Sequence, residues 1–144
     1  IGGATHVVAV ESAKFGLPEV KRGIFPFQVM ATLEPLMSAR QLLDLCIRAK
    51  ILSAKEAQEI GIVSEVVKEE NLASRVQELI AEIKEQSPTA IRLGLKAFQE
   101  MKTKSAEDKH KYLHAMLMDC LKSKDAAEGL LAFKEKRKPE WKGE

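Results

Sequence analysis

The chain has 144 residues, the size of one ordinary domain, and a composition that is 45% hydrophobic and 31% charged lets it build a core and stay in solution. A net charge of +2 is too small to imply a nucleic-acid or membrane partner, and no apolar run is long enough to span a bilayer. Cys46 and Cys120 lie far apart in helix-like stretches with no metal-ligand spacing, so both are expected as reduced, buried thiols of a cytoplasmic protein.

The sequence begins at Ile1, without an initiator Met or a charged signal segment, and opens almost at once on the β-rich run His6–Val10. A strand so near a terminus needs neighbours, so the chain reads as a fragment. His6 is expected in or beside that strand. Residues 1–67 mix short β-rich runs, loops and short helices, whereas 70–138 read as helix throughout. Ser38 with Gln41 and Ser53 with Glu56 each fit a capping box, in which side chains satisfy the free amides of a first helical turn. Gly61 offers a left-handed stop to the second of these helices, and Ile62–Val67 then reads as a short strand. Leu72, Val76, Leu79, Ile80 and Ile83 repeat at helical spacing, so one stripe packs inward. Ser87-Pro88 starts the next helix, with Pro at its first position and an apolar face of Ile91, Leu95, Phe98 and Met101. Leu113, Met116, Leu117, Cys120 and Leu121 line another; Ser123 caps a last one, which Pro139 is expected to stop.

The segment Ser12–Pro26 stands apart. It holds Gly16, Gly23, Pro18 and Pro26 around a single carboxylate, Glu19, amid apolar residues. Glycine and proline fix the backbone, so a side chain between them is aimed at one place. A carboxylate held among apolar neighbours is suited to proton transfer near neutral pH. The alternative is a surface turn in which Glu19 pairs with Lys21 or Arg22. Elsewhere, His110 and His114 stand four apart with Glu107 one turn earlier; with no further ligand in sight they read as an exposed polar stripe, and no metal site is assigned.

Ala13-Lys14-Phe15-Gly16-Leu17-Pro18-Glu19-Val20, followed by Gly23-Ile24 and Pro26, resembles the signature of the enoyl-CoA hydratase/isomerase (crotonase) superfamily. The resemblance continues through Ser53-Ala54-Lys55-Glu56-Ala57 and Gly61-Ile62-Val63. It returns in Asp125, Glu128-Gly129, Ala132-Phe133 and Glu135-Lys136-Arg137. Three separated motifs in the right order cover nearly the whole chain. The resemblance implies an α+β fold, the ClpP/crotonase spiral, of which this chain is the C-terminal half: residues 1–69 carry part of the core with the active-site loop, and 70–144 form a helical oligomerisation region with a basic tail. It implies acyl-CoA thioester chemistry, hydration or double-bond isomerisation through an enolate stabilised by two backbone amides. Glu19 matches the second of the two glutamates that hydratases use and would be the general acid/base. Phe133 and Lys136 match the ring and the cation that sit against coenzyme A; the alternative for the tail is a solvated helix end whose cations complement the helix dipole. No permanently bound cofactor is implied, coenzyme A arriving with the substrate, and the assembly implied is a homotrimer or a dimer of trimers.

The sequence also departs from the family pattern. Thr5 stands where an Asp is usual. Gly2-Gly3 lies too late to be the glycine-rich oxyanion loop, so that loop and the first glutamate would precede Ile1. Phe27-Gln28-Val29-Met30 is bulky where a small, Gly-rich segment is common. The rival reading is therefore a non-catalytic fragment or assembly partner lacking the oxyanion hole.

Overall fold

A computed structural model describes residues 1–144, which divide into two compact units, 1–78 and 79–144. In the first unit β1 (Val8–Val10) pairs in parallel with β4 (Glu65–Val67), Val8 facing Glu65. A second pair, β2 (Lys14–Gly16) against β3 (Ile51–Ser53), is antiparallel and sets Phe15 opposite Leu52. Between them lie α1 (Phe27–Leu33), α2 (Ala39–Arg48) and α3 (Ala54–Glu59). The core they share is built from Ala9, Leu17, Leu33, Leu42, Leu45, Cys46, Leu52, Ala54, Ala57, Ile62 and Val63.

The local reasons are legible. Ser38 and Ser53 each accept from the backbone amide three residues on, and Gln41 and Glu56 reach back to the cap amides, closing both expected capping boxes. Lys50 Nζ reaches Glu56 Oε1 at 2.7 Å, and that contact, with the Ser53 amide and hydroxyl, holds the Glu56 carboxyl down at about 2. Gly61 has φ +86°, the left-handed stop expected of it, and a Cβ there would sit 2.8 Å from the Leu36 carbonyl oxygen. The strand expected over Ile62–Val67 is shorter. Ile62 and Val63 donate back to the Ala57 carbonyl oxygen at 2.9 and 3.2 Å, so the chain wraps onto the end of α3 and buries both side chains before β4 begins. The first strand likewise starts at Val8, because the amide of Val7 is taken by the Ser64 hydroxyl at 3.0 Å. His6 lies just ahead of β1, its Nε2 2.8 Å from Glu65 Oε1; Arg75 donates through Nε to the other Glu65 oxygen at 2.7 Å and holds that carboxyl at about 2.

α4 (Leu72–Lys84) carries the chain from the first unit into the second, which holds α5 (Pro88–Glu100), α6 (Ala106–Leu121) and α7 (Lys124–Glu135). Ser87 and Ser123 cap α5 and α7 as expected, and Ser105 caps α6. These helices bury little: α4 and α6 have no fully buried residue, and α5 and α7 bury only Thr89, Ala97, Asp125 and Ala132. The expected inward stripes are half-buried at best, with Leu95, Phe98 and Leu117 all half-exposed or more. No helix is long and apolar enough to cross a membrane.

Gly61→Ala should cost more than about 1 kcal/mol, since a Cβ is strained at positive φ and would also strike a backbone oxygen. Chemical denaturation would read the loss as a lower midpoint; an unchanged midpoint would mean the turn is not held as described.

Candidate functional site

The Gly/Pro segment is a strand followed by a tight turn. β2 delivers the chain to a buried Leu17; Pro18 then heads a single 3-10 turn, Glu19–Arg22. Gly23, at φ +75°, closes the turn by donating to the carbonyl oxygens of Glu19 and Val20, and Ile24 donates to Glu19 O at 3.2 Å. Glu19 is thus the first residue of a turn stiffened on both sides. It forms no ion pair with Lys21 or Arg22, the arrangement that a plain surface turn would have had. Instead its Oε2 is enclosed and has no hydrogen-bond partner. The Cys46 thiol, fully buried on α2, is pushed up first by burial and then by the negative charge of Glu19. A buried carboxylate oxygen without a donor is costly to keep, and such groups cluster where chemistry requires them.

An apolar cavity of about 420 Å³ lies in the same unit. Phe15, Gly16 and Leu17 of the motif line it, with Gln28, Val29 and Thr32 of α1. The bulky segment after Pro26 has therefore become a helix whose side chains shape this cavity. Glu19 is not among its lining residues.

In the second unit the tail differs from the sequence expectation. α7 ends at Glu135, ahead of Pro139, because Lys136 turns left-handed at φ +55°. Lys136 N donates to Phe133 O and Arg137 N to Ala132 O, a Schellman-type reversal. Phe133 and Lys136 therefore do not share a helix face: Phe133 stands on α7 with 86% of its surface exposed, and Lys136 sits on the reversal, exposed and without an ion pair. Asp125 and Glu128, quoted only as motif letters by the sequence, prove central. Asp125 is 1% exposed. Its Oδ1 accepts from the amides of Lys142 (2.8 Å) and Gly143 (3.0 Å), and its Oδ2 from Ser87 Oγ (2.9 Å) and Thr89 N (3.3 Å). Burial alone would push this carboxyl up; the four donors overcome it and hold the group at about 2. Glu128 takes Arg137 in a two-pronged pair at 2.6 and 3.0 Å and the Glu140 amide at 2.8 Å, which likewise hold it at about 2. No sequence signal marked these partners, because they come from the loop that folds back. Of the histidine stripe, Glu107 is engaged by Lys111 at 2.7 Å.

The short paired strands with their intervening helices, followed by a helical region, have the architecture of the crotonase-fold hydratases. The crystal structure of an enoyl-CoA hydratase from Bacillus anthracis superposes with a TM-score of 0.92 at 30% identity, over 99% of this chain and 56% of that one. The chain belongs to the family described as enoyl-CoA hydratase/isomerase, whose model matches residues 4–144. It is similar to a probable enoyl-CoA hydratase of Bacillus subtilis (strain 168), 35% identical over 98% of this chain and 56% of that protein. A carnitinyl-CoA dehydratase of Salmonella agona (strain SL483) is 32% identical over 97% of this chain and 56% of its own length. The chain spans about half the length of these relatives.

Because the Asp125 carboxyl lies below its ordinary value in the folded state, its contribution to stability is complete above the unfolded value of about 3.9 and is lost as pH falls toward about 2. The difference in melting temperature between the native chain and Asp125→Asn should be full at neutral pH and close over that acid window. A difference that stays constant down to the bottom of the window would show that the ionised form is not what the fold uses.

Proposed function

We propose that the complete protein acts on acyl-CoA thioesters, hydrating an enoyl-CoA or shifting its double bond through a thioester enolate, with Glu19 as the proton-transfer group. The observation that carries this reading is the enclosed, donorless Glu19 oxygen in a turn that Pro18 and Gly23 stiffen, within a motif matched to the hydratase/isomerase family. Adding water across a double bond conjugated to a thioester puts hydroxyl on one carbon and a proton on the other; removing water reverses both. Each direction needs a group that takes and returns a proton at one fixed place, which a rigid carboxylate supplies. The relatives named as a hydratase and a dehydratase catalyse these two directions by name. Phe133 and Lys136 are proposed to meet coenzyme A, the ring against the adenine and the ammonium against phosphate. No further cofactor is needed for this chemistry. The setting proposed is cytoplasmic fatty-acyl metabolism, and the exposed apolar faces of α4–α7 support assembly as a homotrimer or a dimer of trimers.

Crotonyl-CoA hydration by the complete protein tests the central assignment. Glu19→Gln should lower kcat by roughly 10²–10⁴-fold with little change in thioester affinity. An unchanged kcat would make Glu19 a structural turn residue, and no turnover by the unaltered protein would favour a non-catalytic assembly partner. The 144-residue chain alone, in which no oxyanion-binding amides are assigned, should show no turnover.

Assembly has its own test. Light scattering at micromolar concentration should give a mass of three chains or six; a stable monomer would remove the proposed role of the α4–α7 faces.

A further inference from the structure

We propose that Asp125 is a positioning residue for coenzyme A: it latches the C-terminal tail back along α7 and thereby holds Lys136 where its ammonium can meet phosphate. This rests on the reading of Phe133 and Lys136 as coenzyme A contacts. Lys136 occupies a backbone region that side chains other than Gly seldom adopt, at φ +55°. The reversal that closes α7, through Lys136 N to Phe133 O and Arg137 N to Ala132 O, holds it there, and a residue other than Gly in that region needs the reversal to be braced by its surroundings.

The bracing contacts run in sequence down the returning chain. Arg137 pairs with Glu128, and the amide of Glu140 donates to the same carboxylate. Trp141 lies across Gly129 so closely that a Cβ there would be 3.2 Å from the ring, and its Nε1 donates to Glu85 O at 2.8 Å. Lys142 and Gly143 then give both their amides to Asp125, whose own amide donates to Glu144 O at 3.1 Å. Asp125 and Glu128 are three apart, so they present two acceptors on one face of α7, spaced for a strand-like segment running back over it. Glu128 is partly open to water, whereas Asp125 is enclosed, so Asp125 is the end of the strap that water cannot replace. Release of that end frees the segment after Pro139 and leaves Lys136 free to leave the left-handed region, which disperses its ammonium.

Substrate preference in the complete protein tests the latch. Crotonyl-CoA carries the nucleotide phosphates and crotonyl-pantetheine does not. Lys136→Ala should cut the preference for crotonyl-CoA, read as the ratio of KM values, by roughly 10- to 100-fold. Asp125→Asn should cut it by a similar factor, and the double variant by no more than either alone. A chain ended at Pro139 keeps Asp125, Phe133 and Lys136 and removes only the latched segment; it should behave as Asp125→Asn does, which covers the case in which the Asn variant fails to fold. A preference lowered by Lys136→Ala but untouched by truncation at Pro139 overturns the latch and leaves the coenzyme A reading standing. Equal losses on both substrates overturn it too, as they mark general damage. A preference that Lys136→Ala does not change overturns the coenzyme A reading itself, and the positioning role with it.

Discussion

A carboxylate oxygen removed from water must find donors, and this chain encloses one carboxylate wholly and one oxygen of another, with opposite outcomes. Asp125 receives four hydrogen bonds and becomes the fastening point of the second unit. Glu19 leaves one enclosed oxygen with none. The cost of an unpartnered buried acceptor is on the order of 1–3 kcal/mol, more when charged, which is a sizeable share of the stability of any small fold. A structural role would select against such a cost, because Gln or an apolar residue would fill the same space more cheaply. The satisfied carboxylate therefore explains shape, and the unsatisfied one is the observation on which the proposed proton-transfer role rests.

Much of this was readable from residues whose effect is local. The capping boxes at Ser38 and Ser53, the caps at Ser87 and Ser123, and the left-handed Gly61 each act within one turn, so sequence suffices. The β2–β3 pair is not legible in the sequence because three-residue strands lack a readable period, and Lys14-Phe15-Gly16 lies within a Gly- and Pro-rich segment. The end of α7 was misplaced for a similar reason. Pro139 is a visible stop, but the actual stop is a lysine in a glycine's conformation, in a reversal closed by Lys136 N to Phe133 O and Arg137 N to Ala132 O, and no glycine marks it in the sequence. At the site itself, the position of Glu19 in a stiffened turn was legible, whereas the enclosure of its oxygen depends on tertiary packing.

The second unit has an unusual balance of forces. Its fully buried residues are small or polar, namely Thr89, Ala97, Asp125 and Ala132, while Leu95, Phe98, Leu117, Leu130 and Leu131 remain substantially exposed. Short of a hydrophobic interior, it is tied by directional contacts: the Asp125 and Glu128 straps, the Trp141 indole bond to Glu85, and the Tyr112 hydroxyl bond to Glu100 at 2.6 Å. Directional contacts fix a geometry but stabilise weakly, since each replaces a bond to water. The large apolar side chains then supply their main free energy only when something covers them.

The two candidate functional groups are consequently held by different means. Glu19 is fixed by its neighbours in sequence: Pro18 restricts the backbone before it and Gly23 closes the turn after it, and proline acts as much by limiting the unfolded chain as by any contact in the folded one. That kind of restraint needs no distant partner and survives most substitutions elsewhere. Lys136 is turned by the hydrogen-bonded reversal at the end of α7, and in the proposed latch that reversal is braced by a returning segment tied to Asp125 and Glu128, a restraint that would exist only while the tail is docked and the two carboxylates are ionised. A proton-transfer group must be aimed to within a few tenths of an ångström at every turnover, so stiffness written into the local chain suits it. A cation meeting a phosphate tolerates looser placement, and a strap that can open suits a group whose ligand must arrive and leave.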